Sequence, residues 1–265
     1  MAVKSSLGAI ALALLASLAL AAPASPQEAA PYLLPDLRPL RPSDLIVDRA
    51  DGDRTLRFTM NVLNRGTGPL ELHPKEEDCD QDGDASNDRT AYQQLFVDDG
   101  SGEFERGVDV SEERPAGCQH FHEAHQHWHF DDFGVYKLFR YSKKERLVQK
   151  VVARANKVSF CLVDTYPKLD LPGSPATRFY HSASGSECGQ NTITGISIGW
   201  VDNYSYTLAG QSLPVEKLRD GFYCLRVRTD PRRLLEETKD NNNARSVRFR
   251  LTGMELRLPN NPRCV

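Results

Sequence analysis

The stretch Leu56-Arg57-Phe58-Thr59-Met60-Asn61-Val62 alternates apolar and polar side chains one by one. A period of two sends successive side chains to opposite faces of an extended chain, so residues 55–63 predict a strand with one face in a core. Other short segments of β character are 45–47, 92–96, 133–139, 158–163, 221–229 and 246–251, with Gly, Pro, Asp and Asn between them. Helical periodicity is scarce, and residues 142–152 read either way. There is no internal repeat. The expectation is an all-β fold, a single β-sandwich-like domain with long loops and little helix.

The N-terminus reads as processing sequence. Lys4 is followed by an Ala/Leu run over residues 7–21, then by small residues at Ala22 and Ala24. That is a charged start, an apolar stretch and a cleavage site. The run is shorter than the ~20 residues of a membrane span, so residues 1–25 predict a signal peptide and not a membrane anchor. A Pro/Ala-rich lead-in follows over 26–43, and the domain over 44–265. The chain is expected in a secreted, extracellular or periplasmic setting. Net charge is −3, with no basic block, which argues against a nucleic-acid partner.

Six cysteines, Cys79, Cys118, Cys161, Cys188, Cys224 and Cys264, all follow that leader. An even count in an exported chain predicts disulfides, but six cysteines allow 15 connectivities. None lies in a Cys-x-x-Cys pair, which weakens a structural zinc reading.

Five of the seven histidines fall within residues 120–129. The segment His125-Gln126-His127-Trp128-His129 alternates strictly, so a strand would present three imidazoles on one side. Three imidazoles suit copper, zinc or iron. Raw affinity favours copper(II), and the absence of thiolate ligands in an exported chain leans the same way. Two further stretches suit a hard cation. Asp78, Asp80, Asp82 and Asp84 alternate around Gly83, with Asp88 behind them; this resembles a calcium loop without the final glutamate, since Arg89 holds the twelfth position. Residues 236–243 offer carboxylates and amide carbonyls. A solvated acidic loop and a polar turn are the plain alternatives.

With these residues in place, the chain resembles the lysyl oxidase family, as a bacterial-type member. His122 followed by His125-Gln126-His127-Trp128-His129 resembles the family's copper segment. Lys157-Val158-Ser159-Phe160-Cys161-Leu162-Val163-Asp164 is similar to its cofactor-lysine segment. Cys188 with Trp200-Val201-Asp202 is similar to the region around its cofactor tyrosine. Gly221-Phe222-Tyr223-Cys224-Leu225-Arg226-Val227, Asp230-Pro231 and Asn242-Asn243 follow its closing strands, and Pro35-Asp36-Leu37 its start. The resemblance implies a copper-dependent amine oxidase with a lysine tyrosylquinone. It would act on primary amines or protein lysine with molecular oxygen, and yield an aldehyde, ammonia and hydrogen peroxide. It also implies calcium on Asp36, the Leu37 carbonyl, Glu237, Asn242 and Asn243.

Two positions depart from the family pattern. A gap-free match puts Thr192 where the family has its cofactor tyrosine, and Ala124 where animal members have a cysteine. Threonine cannot become a quinone. Lys157 with Tyr204, the nearest later tyrosine, are therefore the candidate cofactor pair. Asn203-Tyr204-Ser205 is also a glycosylation sequon, read here as unused or as a sign of bacterial origin. The second reading is a non-catalytic copper-binding extracellular β-sandwich. Cys161 and Cys188 lie between matched motifs and are one candidate disulfide. Cys79–Cys118 would tie the acidic loop to the copper segment, leaving Cys224–Cys264.

Overall fold

The computed structural model describes residues 32–264, apart from 51, 85, 124, 143–146, 156–158 and 182–187. The leader and Lys157 lie outside the described residues. Among those described there are seventeen strands, no helix, and no helix long and apolar enough to cross a membrane.

The strands form three antiparallel sheets. In the first, β12 (Thr194–Ile196), β5 (Leu70–Lys75), β6 (Asp88–Val97), β7 (Val110–His122) and β8 (His127–Phe130) lie in that order, and β1 (Tyr32–Leu33) pairs with β6. The second runs β10 (Leu147–Arg154), β9 (Gly134–Ser142), β15 (Gly221–Thr229), β16 (Ala244–Thr252) and β17 (Glu255–Arg257). The third runs β11 (Tyr166–Pro167), β13 (Trp200–Tyr204), β4 (Asp53–Asn64) and β14 (Ser212–Pro214); β2 (Leu37–Pro39) and β3 (Ser43–Ala50) also pair with β4.

The alternation in β4 does what its period implies. Leu56, Phe58, Met60 and Val62 are fully buried, and share one core with Tyr136 and Leu138 of β9, Leu225 and Val227 of β15, and Val247, Phe249 and Leu251 of β16. Phe58 meets Tyr136 edge-on at 4.8 Å between ring centroids. Apolar faces of separate sheets thus close over one another, as in a sandwich.

The expected strand at 158–163 is not formed over its described part. Phe160 exchanges a pair of backbone hydrogen bonds with Phe130, at 2.8 and 2.9 Å. Beyond it the partners scatter: Cys161 is bonded to Cys188, and the Leu162 carbonyl accepts from Gly195 N–H at 3.0 Å. Asp164 is fully buried and accepts the backbone N–H groups of Phe179, Tyr180 and Ser197. This apolar run is held by single anchors to several neighbours, not by a ladder to one. All six cysteines pair, as Cys79–Cys118, Cys161–Cys188 and Cys224–Cys264.

Candidate metal centre

The histidine segment is a hairpin. His122, at the end of β7, lies directly opposite His127 at the start of β8, and His120 opposite His129. Between the strands the chain turns. The His122 carbonyl accepts from His125 N–H at 3.0 Å and from Gln126 N–H at 2.8 Å, and Gln126 is in the left-handed region with φ 57°. His127 and His129 therefore share a face by strand alternation, as expected. His125 arrives by the turn instead, and His122 by cross-strand pairing. Trp128 N–H donates to the Cys188 carbonyl at 2.8 Å, which docks the hairpin on the Cys161–Cys188 region.

Four imidazoles converge. His129, only 2% exposed, has its Nε2 at 2.8 Å from His127 Nε2 and 3.3 Å from His125 Nδ1. Ligand atoms at about 2.0 Å from one ion would lie about 2.8–3.3 Å apart, from square-planar to tetrahedral angles. The observed separations fall in that span. His122 stacks on His125 with ring centroids 4.2 Å apart, and ligand atoms of His122, His125 and His129 lie within 4.8 Å of one another. Among the described residues the buried Nδ1 of His122 has no hydrogen-bond partner. His129 Nδ1 is 3.3 Å from Ser159 Oγ, the kind of contact that orients a metal-binding imidazole. The donor set fits copper.

A cavity of about 330 Å³ opens beside the cluster, lined by His125, His127, His129, Asp202, Asn203 and Tyr204, among others. Tyr204 is buried, donates its hydroxyl to the Cys161 carbonyl, and packs edge-on against Phe160 at 4.5 Å. Thr192 is half-buried in the turn after Cys188, its N–H donating to the Gly189 carbonyl at 3.0 Å, and is not among the cavity's described lining. Asp202 and Asn203 were singled out by sequence only as flanks of Trp200 and Tyr204; their place on the cavity wall comes from the pairing of β13 with β4.

A second, oxygen-only cradle lies elsewhere. Asn242 Nδ2 donates to Asp36 Oδ1 at 2.7 Å, Asn243 Nδ2 to Glu237 Oε1 at 2.6 Å, and Leu37 N–H to Glu237 Oε2 at 2.6 Å. Leu37 thus meets this carboxylate through its amide. Burial, with Asp230 and Asp240 nearby, pushes the Glu237 carboxyl up to about 8, against the hydrogen bonds from Leu37 and Asn243. Buried oxygens of Asp240, Asn242 and Asn243 have no donor among the described residues. Crowded carboxylates and orphaned carbonyl oxygens are a donor set for calcium. Asp240 was legible only as part of the polar stretch 236–243.

In the acidic loop, ligand oxygens of Asp78, Asp80 and Asp82 lie within 4.8 Å of one another. Asp84 Oδ1 accepts from Ser86 N–H at 3.0 Å.

A family model described as Lysyl oxidase matches residues 105–261. The chain is similar to Protein-lysine 6-oxidase of Sus scrofa, 31% identical over 146 residues, which are 55% of this chain and 52% of that protein. It is 30% identical to Protein-lysine 6-oxidase of Homo sapiens over 146 residues, 55% of this chain and 31% of that one. It is 27% identical to Lysyl oxidase homolog 1 of Homo sapiens over 147 residues, 55% of this chain and 23% of that one. The chain thus spans about half the length, or less, of these curated relatives.

Proposed function

The chain belongs to the lysyl oxidase family, and on that premise we propose that it is an exported copper-dependent amine oxidase. It converts primary amines, peptidyl lysine among them, to aldehydes with release of ammonia and hydrogen peroxide. The observation that supports this reading is one cavity lined jointly by His125, His127, His129 and the Tyr204 ring. Three disulfides suit an oxidising compartment.

Copper with oxygen would supply the oxidation of a tyrosine ring, and a lysine–tyrosine quinone the electrophilic carbonyl that no ordinary side chain offers. The residues of this chain divide the remaining work. His125, His127 and His129 hold the metal, with His122 beside them. Tyr204 provides the ring and Lys157 the amine. Asp202, the carboxylate in the described lining of that cavity, is the candidate base for the proton on the substrate carbon next to nitrogen. Asp36, Glu237, Asn242 and Asn243 hold calcium as a structural ion.

The test is peptide mass mapping of protein produced with copper in air, together with a carbonyl reagent and a peroxide assay. The expected result is a crosslink between Lys157 and Tyr204, absent in Lys157→Ala and Tyr204→Phe although both bind copper. Amine oxidation at the wild-type rate by Tyr204→Phe would exclude Tyr204. A second reading, a non-catalytic copper-binding β-sandwich, is favoured by Thr192 and by the engagement of the Tyr204 hydroxyl with a backbone carbonyl. It replaces the first if the copper-loaded wild type never crosslinks.

A further inference from the structure

The hairpin carries a fifth histidine outside the proposed copper cluster. His120 Nδ1 is 2.5 Å from Asp131 Oδ2, and its Nε2 is 3.2 Å from Asp80 Oδ2. Asp88 lies directly across the strands from His120. Ligand atoms of Asp80, Asp88 and His120 lie within 4.8 Å of one another. Asp88 is wholly buried. Its Oδ2 accepts Cys79 N–H at 2.6 Å and Asp80 N–H at 3.0 Å, while its Oδ1, buried as well, has no hydrogen-bond partner among the described residues.

A buried carboxylate with an unmet oxygen is costly, and two carboxylates beside each other add repulsion; a cation relieves both. We propose that His120 Nε2, Asp80 and Asp88 form a second metal site, for a divalent transition ion such as zinc. Asp131 acts from behind the imidazole, as an outer carboxylate that fixes its tautomer and orientation. The imidazole decides the class of ion. Carboxylates alone would suit calcium, whereas one imidazole with two carboxylates suits zinc. The site is preorganised from three directions. The backbone amides of Cys79 and Asp80 orient Asp88, the β6–β7 ladder places Asp88 against His120, and Cys79–Cys118 fastens the acidic loop to β7. This ion would be structural, joining the acidic loop to the hairpin that carries the copper ligands.

Zinc itself is the probe. Metal-free protein is titrated with zinc by calorimetry in millimolar calcium, which keeps the oxygen cradle filled, and metal content after dialysis is measured by mass spectrometry. Without copper, the histidine cluster and the new site should together hold about two equivalents of zinc. His120→Ala and His127→Ala should each hold one, and the double variant none. Asp131→Asn, which leaves every ligand in place, should weaken the second equivalent ten- to hundredfold, with the circular dichroism spectrum unchanged. Two equivalents retained by His120→Ala would overturn the site, and so would displacement of the second zinc by calcium. A single equivalent in the wild type that vanishes in His127→Ala would also overturn it while leaving the copper reading intact. One equivalent that survives in His127→Ala and vanishes in His120→Ala would instead count against the histidine cluster.

Discussion

His129 is the residue on which the candidate metal centre turns. It alone of the four imidazoles is deeply buried, and its ring nitrogen is the one close to both His125 and His127. His127→Ala removes one of those close partners and should abolish stoichiometric copper in a dialysed sample; full retention would refute the ligand set. The segment was legible because alternating histidines are rare without a metal. Its hairpin was not, because Glu123 to Gln126 contain no Gly, Pro or Asn to announce a turn. At the start of β5, Glu71 is buried and takes hydrogen bonds from His73 at 2.8 Å, Arg106 at 2.7 Å and Tyr180 at 2.6 Å. Burial raises its carboxyl, but these three partners outweigh burial and hold it at about 2. Since that lies below the unfolded value near 4.5, its contribution is complete above pH 4.5 and is lost as pH falls through about 2. Denaturant unfolding should show about 3 kcal/mol of that acid sensitivity missing from Glu71→Gln. An unchanged acid limb would count against the network. No motif signalled this cluster, because Arg106 and Tyr180 reach Glu71 from distant parts of the chain.

Among the elements, the connection between β1 and β2 depends on two glycines. A Cβ on Gly68 would stand 1.8 Å from the Leu33 carbonyl oxygen, and one on Gly66 would stand 2.1 Å from that of Leu34. Backbone lies on backbone here: Arg65 N–H donates to the Asp36 carbonyl, and Thr67 and Gly68 N–H to that of Leu34. Asn64, fully buried, closes the junction through Asp36 N–H, Gly66 N–H and the carbonyls of Gly68 and Ile196. Gly68→Ala should therefore cost 1–3 kcal/mol or more, and weaken calcium through displacement of Asp36 while copper binding persists. Thermal unfolding and a calcium titration would check it; unaltered calcium affinity would separate this junction from the cradle. The sequence pattern found β4, β9, β15 and β16, but not β7, the longest strand. It could not find this junction, because two glycines in a polar loop carry no pattern until their neighbours are known.

Over the whole molecule, the cradle joins Asp36 to Asn242, 206 residues later. Calcium that binds only the folded form should raise the melting temperature. At a hundredfold over its dissociation constant the gain is about 2.7 kcal/mol, or roughly 5–10 °C for a domain of this size. No shift against a chelated control would mark the cradle as a plain polar junction. The disulfides close loops with sequence separations of 39, 27 and 40, so thiol titration of the unfolded, unreduced protein should find none.

The cradle also sets a schedule. Its first residue emerges long before its last, and at roughly 5–20 residues per second the interval is about 10–40 s of synthesis. Through that wait Asp36 and Leu37 have no partner in Glu237, Asn242 or Asn243. The cradle therefore comes into being only when the closing strands arrive, and an ion bound there would meet it only after Asn243 has emerged.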